Sequence, residues 1–469
     1  RRIKPSSMEA ALINDMRDRF TAFASVQSLG GISLFSGRAE INAETIHEFT
    51  HIAQDLELAI RSLEARGFTV APVDKLTVRV SGSAELFTRR FGVTFEPYRT
   101  RSLFSQEVSP QWIPSQDSML NLLNTNVPGV EGIVFPEPIS LHAIAPHPPR
   151  LNYHHLVPPD DLVELLNARP VHEAGCLGEG VKAAMIDSGF SWTHPYFTTR
   201  GYSTIVSLPE RSDSDSVGHG TGESANLLAI APRVTLHGLV MDDVIEALAT
   251  ARDDLRVQLI SNSWGTHYDT DGKNGYWAPF WSLVQAEIAL CVSQGIVVLF
   301  SSGNGGMSFT ASMPETISVG GVYVDERGEL EASNYASSFD STRFAGVHVP
   351  DVCGLVGMQP RGVYIALPVP PESEVDAGFC GGHYPDGDET AADDGWAVFS
   401  GTSAACPMVA GAAALILSKY PDAGVEEVRA RLLDARDVVK GYSAMNDSAG
   451  PGYDAATGYG LVDVSRACA

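Results

Sequence analysis

The chain has 469 residues, 57 acidic against 32 basic side chains, a formal net charge of −25 and 44% hydrophobic residues. That length exceeds one ordinary core and predicts two domains, or one large domain with an accessory piece. The hydrophobic fraction excludes wholesale disorder, and the acidity excludes nucleic acid as the main partner, because phosphate binding needs clustered Lys and Arg. The longest apolar run, Val409 to Leu417, is about half what a bilayer requires, so no membrane span is expected. No apolar run follows Arg1-Arg2-Ile3-Lys4, so no secretory signal is read there.

Taken in chain order, Ala43 to Arg66 predicts a helix, with Leu56, Ile60 and Leu63 at helical spacing and Gly67 as its stop. Leu76 to Ser81 alternates apolar and polar residues, the pattern of a half-buried strand. A short helix from Glu85 to Phe91 and a strand at Val93-Thr94-Phe95 complete a small α+β unit. A proline-rich stretch follows, with Pro136, Pro138, Pro146, Pro148, Pro149, Pro158 and Pro159. Proline fixes φ and lacks an amide donor, so this stretch predicts an extended, poorly paired surface linker. Beyond it, short apolar strands at Val181–Ile186, Leu259–Ile260 and Ile296–Phe300 alternate with helices at Glu287–Ser293 and Ala404–Lys419. Buried strands separated by helices indicate a parallel α/β sheet, whose chemistry sits past the carboxyl ends of the strands. Charge divides along the same line. Residues 1–150 hold 16 acids and 15 bases, a net of −1; residues 151–469 hold 41 and 17, a net of −24.

The six cysteines contain no CxxC pair, so a cysteine zinc site is not expected. A local Cys353–Cys380 disulfide and six free, mostly buried thiols both remain open. An acidic cluster, Asp386, Asp388, Glu389, Asp393 and Asp394, lies in a stretch from Gly362 to Ser418 without Lys or Arg. It reads as a solvated surface insertion, with a cation site or a preference for basic substrates as alternatives.

Three segments carry chemistry. Ala184-Met185-Ile186-Asp187-Ser188-Gly189 places an acid at the end of a buried strand. Gly218-His219-Gly220-Thr221-Gly222 sets a histidine between glycines at the start of a small-residue helix. Ser400-Gly401-Thr402-Ser403, running on to Cys406-Pro407-Met408-Val409-Ala410-Gly411, opens an Ala- and Gly-rich helix with a serine. Singly, each has a plain reading as a turn, a loop or a helix cap. Together they supply a weak nucleophile, a base that titrates near neutrality and an acid to orient it.

At these residues the chain resembles the subtilisin family of serine peptidases, over roughly residues 170–469. The resemblance implies an α/β fold: a subtilisin-like parallel sheet with helices on both faces, plus a small α+β N-terminal prodomain. It implies Asp187 as orienting acid, His219 as general base and acid, and Ser403 as nucleophile. Asn304, in Ser302-Gly303-Asn304-Gly305, would donate to the oxyanion together with the Ser403 amide. Ser263-Trp264-Gly265, with Gly303, resembles the edge that takes substrate as an added strand.

Residues 1–140, with Val80-Ser81-Gly82-Ser83-Ala84-Glu85-Leu86-Phe87 and Gly129-Val130-Glu131-Gly132-Ile133, resemble the propeptide of the sedolisins. Those enzymes use Glu, Asp and Ser at acidic pH. Here His219 stands where a sedolisin carries Glu and Asn304 where it carries Asp, which favours histidine chemistry and a neutral or alkaline optimum. Glu223, one helical turn past His219, is the residue that would keep a sedolisin-like variant in play; its plain reading is a polar helix residue. Gly450-Pro451-Gly452-Tyr453-Asp454 resembles the sedolisin calcium loop, with Asp437 and Val438 as upstream partners, and so implies a structural Ca²⁺ held by Asp437, Val438, Gly450, Gly452 and Asp454. The competing reading is a plain turn. Only nine residues lie between Asn304 and Pro314, which leaves the wall of the primary specificity pocket unassigned.

The expectation is therefore a proenzyme: an inhibitory and chaperoning domain at 1–140, a linker at 141–160 cut by the enzyme itself between about His142 and Pro158, and a serine endopeptidase at 161–469. Its partners would be a peptide or protein substrate and its own propeptide, as a monomer without nucleic acid or membrane. It would act outside the cell, with the cytoplasm as the alternative. A peptide ligase or cyclase, a sedolisin-like acid-active peptidase and a non-catalytic binding protein are the other readings.

Overall fold

The computed structural model describes residues 19–37, 40–101, 108–137, 140–141, 154–207, 214–265, 267–268, 278–359, 363–381 and 388–469. The chain divides into two compact units, Arg1–Pro138 with Asp269–Ser293, and Ile139–Tyr268 with Gln294–Ala469.

The first unit is built on an antiparallel sheet of β1 (Arg19–Val26), β2 (Thr69–Pro72), β3 (Thr77–Ser83) and β4 (Val130–Val134), in the order β2-β3-β1-β4. On β3, Val78 and Val80 are buried while Arg79 and Ser81, which alternate with them, are half-buried, the period of two that the sequence shows. Helices α1 (Ala53–Glu64) and α2 (Ala84–Phe91) supply Leu63 and Phe87 to a core shared with Ala24, Phe68, Ile133 and Phe135. The larger of these, Leu63, Phe68, Phe87, Ile133 and Phe135, each contribute roughly 1.5–3 kcal/mol by leaving water. The Ser83 side chain accepts from Leu86 N at the start of α2, and Gly92 ends it in the left-handed conformation.

Two expectations shift here. The helix expected from Ala43 is a short 3-10 turn at Ile46–Phe49, an extended break at Thr50 to Ile52, and then α1. The break is where the backbone finds other partners: Leu29 N donates to Thr50 O and His51 N to Lys75 O. Val93 and Thr94 are not in a strand. The strand begins at Phe95 and pairs with Val108–Pro114 as a separate hairpin.

The second unit carries a ten-stranded sheet. Its strands are β6 (Lys182–Asp187), β7 (Ser203–Val206), β8 (Thr235–Val240), β9 (Leu259–Asn262), β11 (Val297–Ser301), β12 (Ile317–Val324), β13 (Leu330–Ala332), β14 (Val352–Leu355), β15 (Val438–Tyr442) and β16 (Ser448–Gly450). Strands β7, β8, β6, β9, β11 and β12 run side by side in parallel, and β14 also lies parallel to β12. The sheet is mixed rather than purely parallel, because β13 joins β12 antiparallel and β15 pairs antiparallel with β16. Strands β6, β9 and β11 are buried along nearly their whole length, which explains apolar runs without alternation.

Helix α3 (His219–Ile230) and helix α4 (Thr402–Lys419) pack on this sheet and on each other. A Cβ at Gly411 would stand 2.7 Å from Ile230 Cβ and 2.9 Å from Leu227 O, so only glycine permits this approach. Helix α4 is long and apolar enough to cross a membrane by composition, which the sequence reading did not expect. It is instead a core helix, buried from Thr402 to Leu417.

The linker is better paired than its prolines suggest. Strand β5 (Ser140–Leu141) pairs antiparallel with β10 (Trp264–Gly265), and His154–Leu156 lies parallel to Val363–Ile365. Both are short edge additions that leave proline outside the paired residues. Residues 142–153, which hold most of the expected processing region, fall outside the described residues, as does Asp386. None of the six cysteines forms a disulfide. Cys353 sits inside the sheet with its thiol on Thr457 O, and Cys380 turns to Ala377 O, so the expected pair is not formed.

Candidate active site

Three elements carry the three residues. Strand β6 ends on Asp187, α3 begins at His219, and Ser403 is the second residue of α4. Asp187, His219 and Ser403 are all fully buried. His219 Nδ1 lies 2.6 Å from Asp187 Oδ1. The glycine after His219 makes this contact possible: a Cβ on Gly220 would meet Gly189 O at 2.3 Å and Asp187 Cβ at 2.9 Å. Ser403 Oγ donates to Ser263 O at 3.3 Å, and Ser263 Oγ donates back to Ser403 O at 2.9 Å. Asn304 follows β11 in the same region. Its Oδ1 accepts from Thr402 N at 3.0 Å and from Thr402 Oγ1 at 3.2 Å, which fixes the flip of the amide and turns its NH₂ end away from Thr402. Gly303 N donates to Thr402 Oγ1, tying this loop to the start of α4.

A second layer holds the pair in place. Asp215, four residues before His219, is buried and accepts four hydrogen bonds, from Ser188 Oγ, Gly218 N, Thr221 N and Thr221 Oγ1. Ser188 Oγ in turn accepts from Gly220 N, and Ser188 N donates to Asp187 Oδ1. The sequence reading assigned Asp215 no role. Its signal was present, an acid ahead of the Gly-His-Gly run, but a short polar loop reads as solvated.

The electrostatics follow from burial. Desolvation pulls the His219 imidazole down, but the charge and hydrogen bond of Asp187 outweigh it, with Glu223 and Asp215 adding, and lift it to about 9. Burial pushes the Glu223 carboxyl up to about 8, against the pull of His219. Burial also raises Asp215, against its hydrogen bonds from Thr221 and Gly218. Cys406, one turn past Ser403, is a buried thiol pushed up to about 12 by desolvation, near Ser261 Oγ and Asn262 O. It packs as a small neutral side chain.

The edge beside the serine is occupied. Trp264 stands opposite Leu141 and Gly265 opposite Ser140, so the chain's own segment runs antiparallel along β10. Ser263, next along that edge, is the residue bonded to Ser403.

Of the five residues expected to hold a cation, Val438 on β15 is paired with Gly450. Asp454, however, accepts from Ala456 N and Thr457 N on Oδ1, and from Thr457 Oγ1 and Gly450 N on Oδ2. A carboxylate offers about four acceptor positions, so its own turn saturates it, and it does not fit a metal ligand as it stands. Asp437 is exposed. Among the described residues no group of three or more His, Cys, Asp or Glu converges at these positions. In the acidic cluster, Asp388 accepts from Thr390 and Val398 N, and Asp394 from Ala391 N and Trp396 N, so these carboxylates shape turns.

A largely parallel sheet with Asp, His, Ser and Asn gathered past its strand ends defines a subtilisin-like protein. A model of the Subtilase family matches residues 178–460, and the chain belongs to that family. Subtilisin E of Bacillus subtilis (strain 168) is 29% identical over 286 residues, covering 58% of this chain and 64% of its own length. The chain thus spans under two thirds of that relative. Subtilisin of Bacillus pumilus is 30% identical over 283 residues, covering 58% of this chain and 88% of its own length. The crystal structure of fervidolysin from Fervidobacterium pennivorans, described as a keratinolytic enzyme related to subtilisin, superposes with a TM-score of 0.60. That alignment covers 96% of this chain and 61% of the other at 17% identity, a likeness of fold.

Proposed function

We propose that the protein is a serine endopeptidase made as a proenzyme. Ser403 Oγ attacks the peptide carbonyl, and His219 Nε2 takes its proton and returns it to the leaving amine. Asp187 fixes the Nδ1–H tautomer and stabilises the imidazolium. The Asn304 amide and the Ser403 N–H, at the start of α4, donate to the oxyanion. Water then releases the acyl group. The observation that carries this reading is the buried 2.6 Å contact between Asp187 and His219, beside a serine that opens a core helix. The test is labelling by a serine-directed fluorophosphonate together with peptide hydrolysis. Wild type should do both and Ser403→Ala neither. A wild type inert in both assays across pH would sink the proposal.

The proenzyme part is supported by β5. An extended segment of the chain already lies along Trp264–Gly265, as a substrate strand would. The residues before it then act as propeptide, and processing falls at the first peptide bonds past Leu141. Mass spectrometry of purified wild type should find a new N-terminus there, while Ser403→Ala stays one chain. Identical behaviour of the two would remove self-cleavage. An extracellular place of action belongs to the same proposal and is tested by separating cells from medium. A calcium ion at Asp437, Val438, Gly450, Gly452 and Asp454 would have to displace at least one donor from Asp454. A chelator that lowers the melting temperature of wild type but not of Asp454→Ala would show that it does.

A further inference from the structure

His219 has a carboxylate at each ring nitrogen. Asp187 lies 2.6 Å from Nδ1, and Glu223 Oε1 lies 3.7 Å from Nε2. Both carboxylates and the imidazole are fully buried. Glu223 sits one turn along α3 from His219, the spacing that stacks two side chains on one helix face. Its other oxygen, Oε2, accepts from Asn226 Nδ2 at 2.7 Å, and Asn226 is fully buried too. Glu223 is thus held by its amide neighbour with Oε1 turned toward the ring. Among the described residues Oε1 has no hydrogen-bond partner. Burying a carboxyl oxygen without a hydrogen bond is costly, so its position asks for a role.

Nε2 is the nitrogen that must receive the Ser403 proton in the reaction proposed above. A negative charge beside it favours the imidazolium. This stabilises the cation formed during the reaction, and it also fills Nε2 with a proton before the reaction begins. We propose that Glu223 is a positioning residue that faces Nε2 as Asp187 faces Nδ1, and that it sets the pH at which His219 is free to accept the Ser403 proton. This rests on the serine-peptidase reading and adds to it a second carboxylate on the base.

The surroundings leave few other groups to do this. Among the described residues, Asp187 on β6 and Asp215 before α3 also act on His219. Asp215 is committed to four donors. Cys406 on α4 and Tyr335, after β13, also feel Glu223, and burial keeps both protonated well above neutrality. The Tyr335 hydroxyl is held by Ser400 Oγ and Gly357 N. The helix Asp160–Leu165, also packed on α3, buries Leu162 and Val163, and the strand Val363–Pro368 buries Ile365 and Leu367. Raised as it is by burial, Glu223 titrates in the same range as the imidazole it faces.

The experiment compares wild type, Glu223→Gln and Glu223→Asp. Fluorophosphonate labelling of Ser403 is measured from pH 5 to 10. In parallel, the low-field proton of the Asp187–His219 hydrogen bond is followed by NMR through the same range in the Ser403→Ala background. A charge beside an ionisable group moves its titration by about 1–3 units. Glu223→Gln should therefore shift the acid limb of labelling and the imidazole titration down by about one unit or more. At a pH one unit below the wild-type midpoint, labelling should then rise several-fold. Glu223→Asp, which keeps the charge, should fall between the two. If the imidazole titrates at the same pH in all three, the proposal is wrong and Glu223 only fills space. If wild type never labels while the NMR titration still shifts, the peptidase reading fails and the coupling of Glu223 to His219 stands.

Discussion

Two acidic regions of this chain look alike in sequence and differ in physics. Around His219, Asp187 and Glu223 are fully buried, and each has one oxygen, Oδ2 and Oε1, with no hydrogen-bond partner among the described residues. In the hairpin after β16, Asp454 gives all its acceptor positions to the N–H and O–H groups of its own turn. The second arrangement builds structure, because every lone pair is spent on a fixed donor. The first keeps acceptor capacity in a low-dielectric site, where a charge has its largest effect on a neighbour. Asp215 sorts with Asp454 by this criterion, although it lies beside the histidine. Location alone therefore does not separate these carboxylates; unspent acceptor capacity does.

The contrast breaks most easily at the serine. Ser403→Ala should lower kcat by about 10⁶-fold, the scale for removing the nucleophile of such a triad. Asp187→Asn should cost about 10⁴-fold by holding His219 in the wrong tautomer. Peptide hydrolysis under saturating substrate measures both. An Asp187→Asn variant within tenfold of wild type would place Asp187 with the structural acids. Asn304→Ala should cost about 10²–10³-fold in kcat with little change in KM if, as proposed, its donor acts on the oxyanion. A loss confined to KM would make it a substrate-binding residue instead.

Asp454→Ala tests the other side. It strands the N–H groups of Gly450, Ala456 and Thr457 and should cost about 1–3 kcal/mol of stability. Thermal or urea unfolding reads the loss, while kcat per folded molecule should stay at the wild-type value. A fall in kcat at unchanged stability would move Asp454 into the functional class.

Much of this site is legible in sequence because its motifs are steric necessities. Gly220 must lack a Cβ for Asp187 and Gly189 to pass, so the glycine beside the histidine signals the contact that it permits. The apolar strands β6, β9 and β11 announce themselves by lacking alternation. What stays hidden is direction. All of α3 is buried, so no amphipathic stripe tells which way Glu223 points. Asp215 looks like any loop acid until its four donors are seen. The extended break after Phe49 follows from backbone partners far along the chain, Leu29 and Lys75, which no local pattern reports. Linker pairing is hidden for the same reason: Ser140 and Leu141 meet an edge more than a hundred residues away.

The subtlest expected effect is on stability against pH. Glu223 keeps its proton up to about 8 in the folded chain, against about 4.5 when unfolded. His219 keeps its own up to about 9, against about 6.5. In both windows the folded state binds more protons than the unfolded state, so stability falls as pH rises. The Glu223 penalty is absent below about 4.5, where both states are protonated, and grows toward about 8. The His219 contribution is intact below about 6.5 and is lost through about 9. Between about pH 5 and 6.5 only Glu223 of these two differs in protonation between the states. Glu223→Gln should therefore flatten the decline of melting temperature most in that interval, by a few degrees. Asp215 is unchanged in both proteins, so its own raised titration cancels in the comparison. Parallel melting curves for wild type and Glu223→Gln from pH 5 to 6.5 would mean that Glu223 is already ionised in the folded chain throughout that interval.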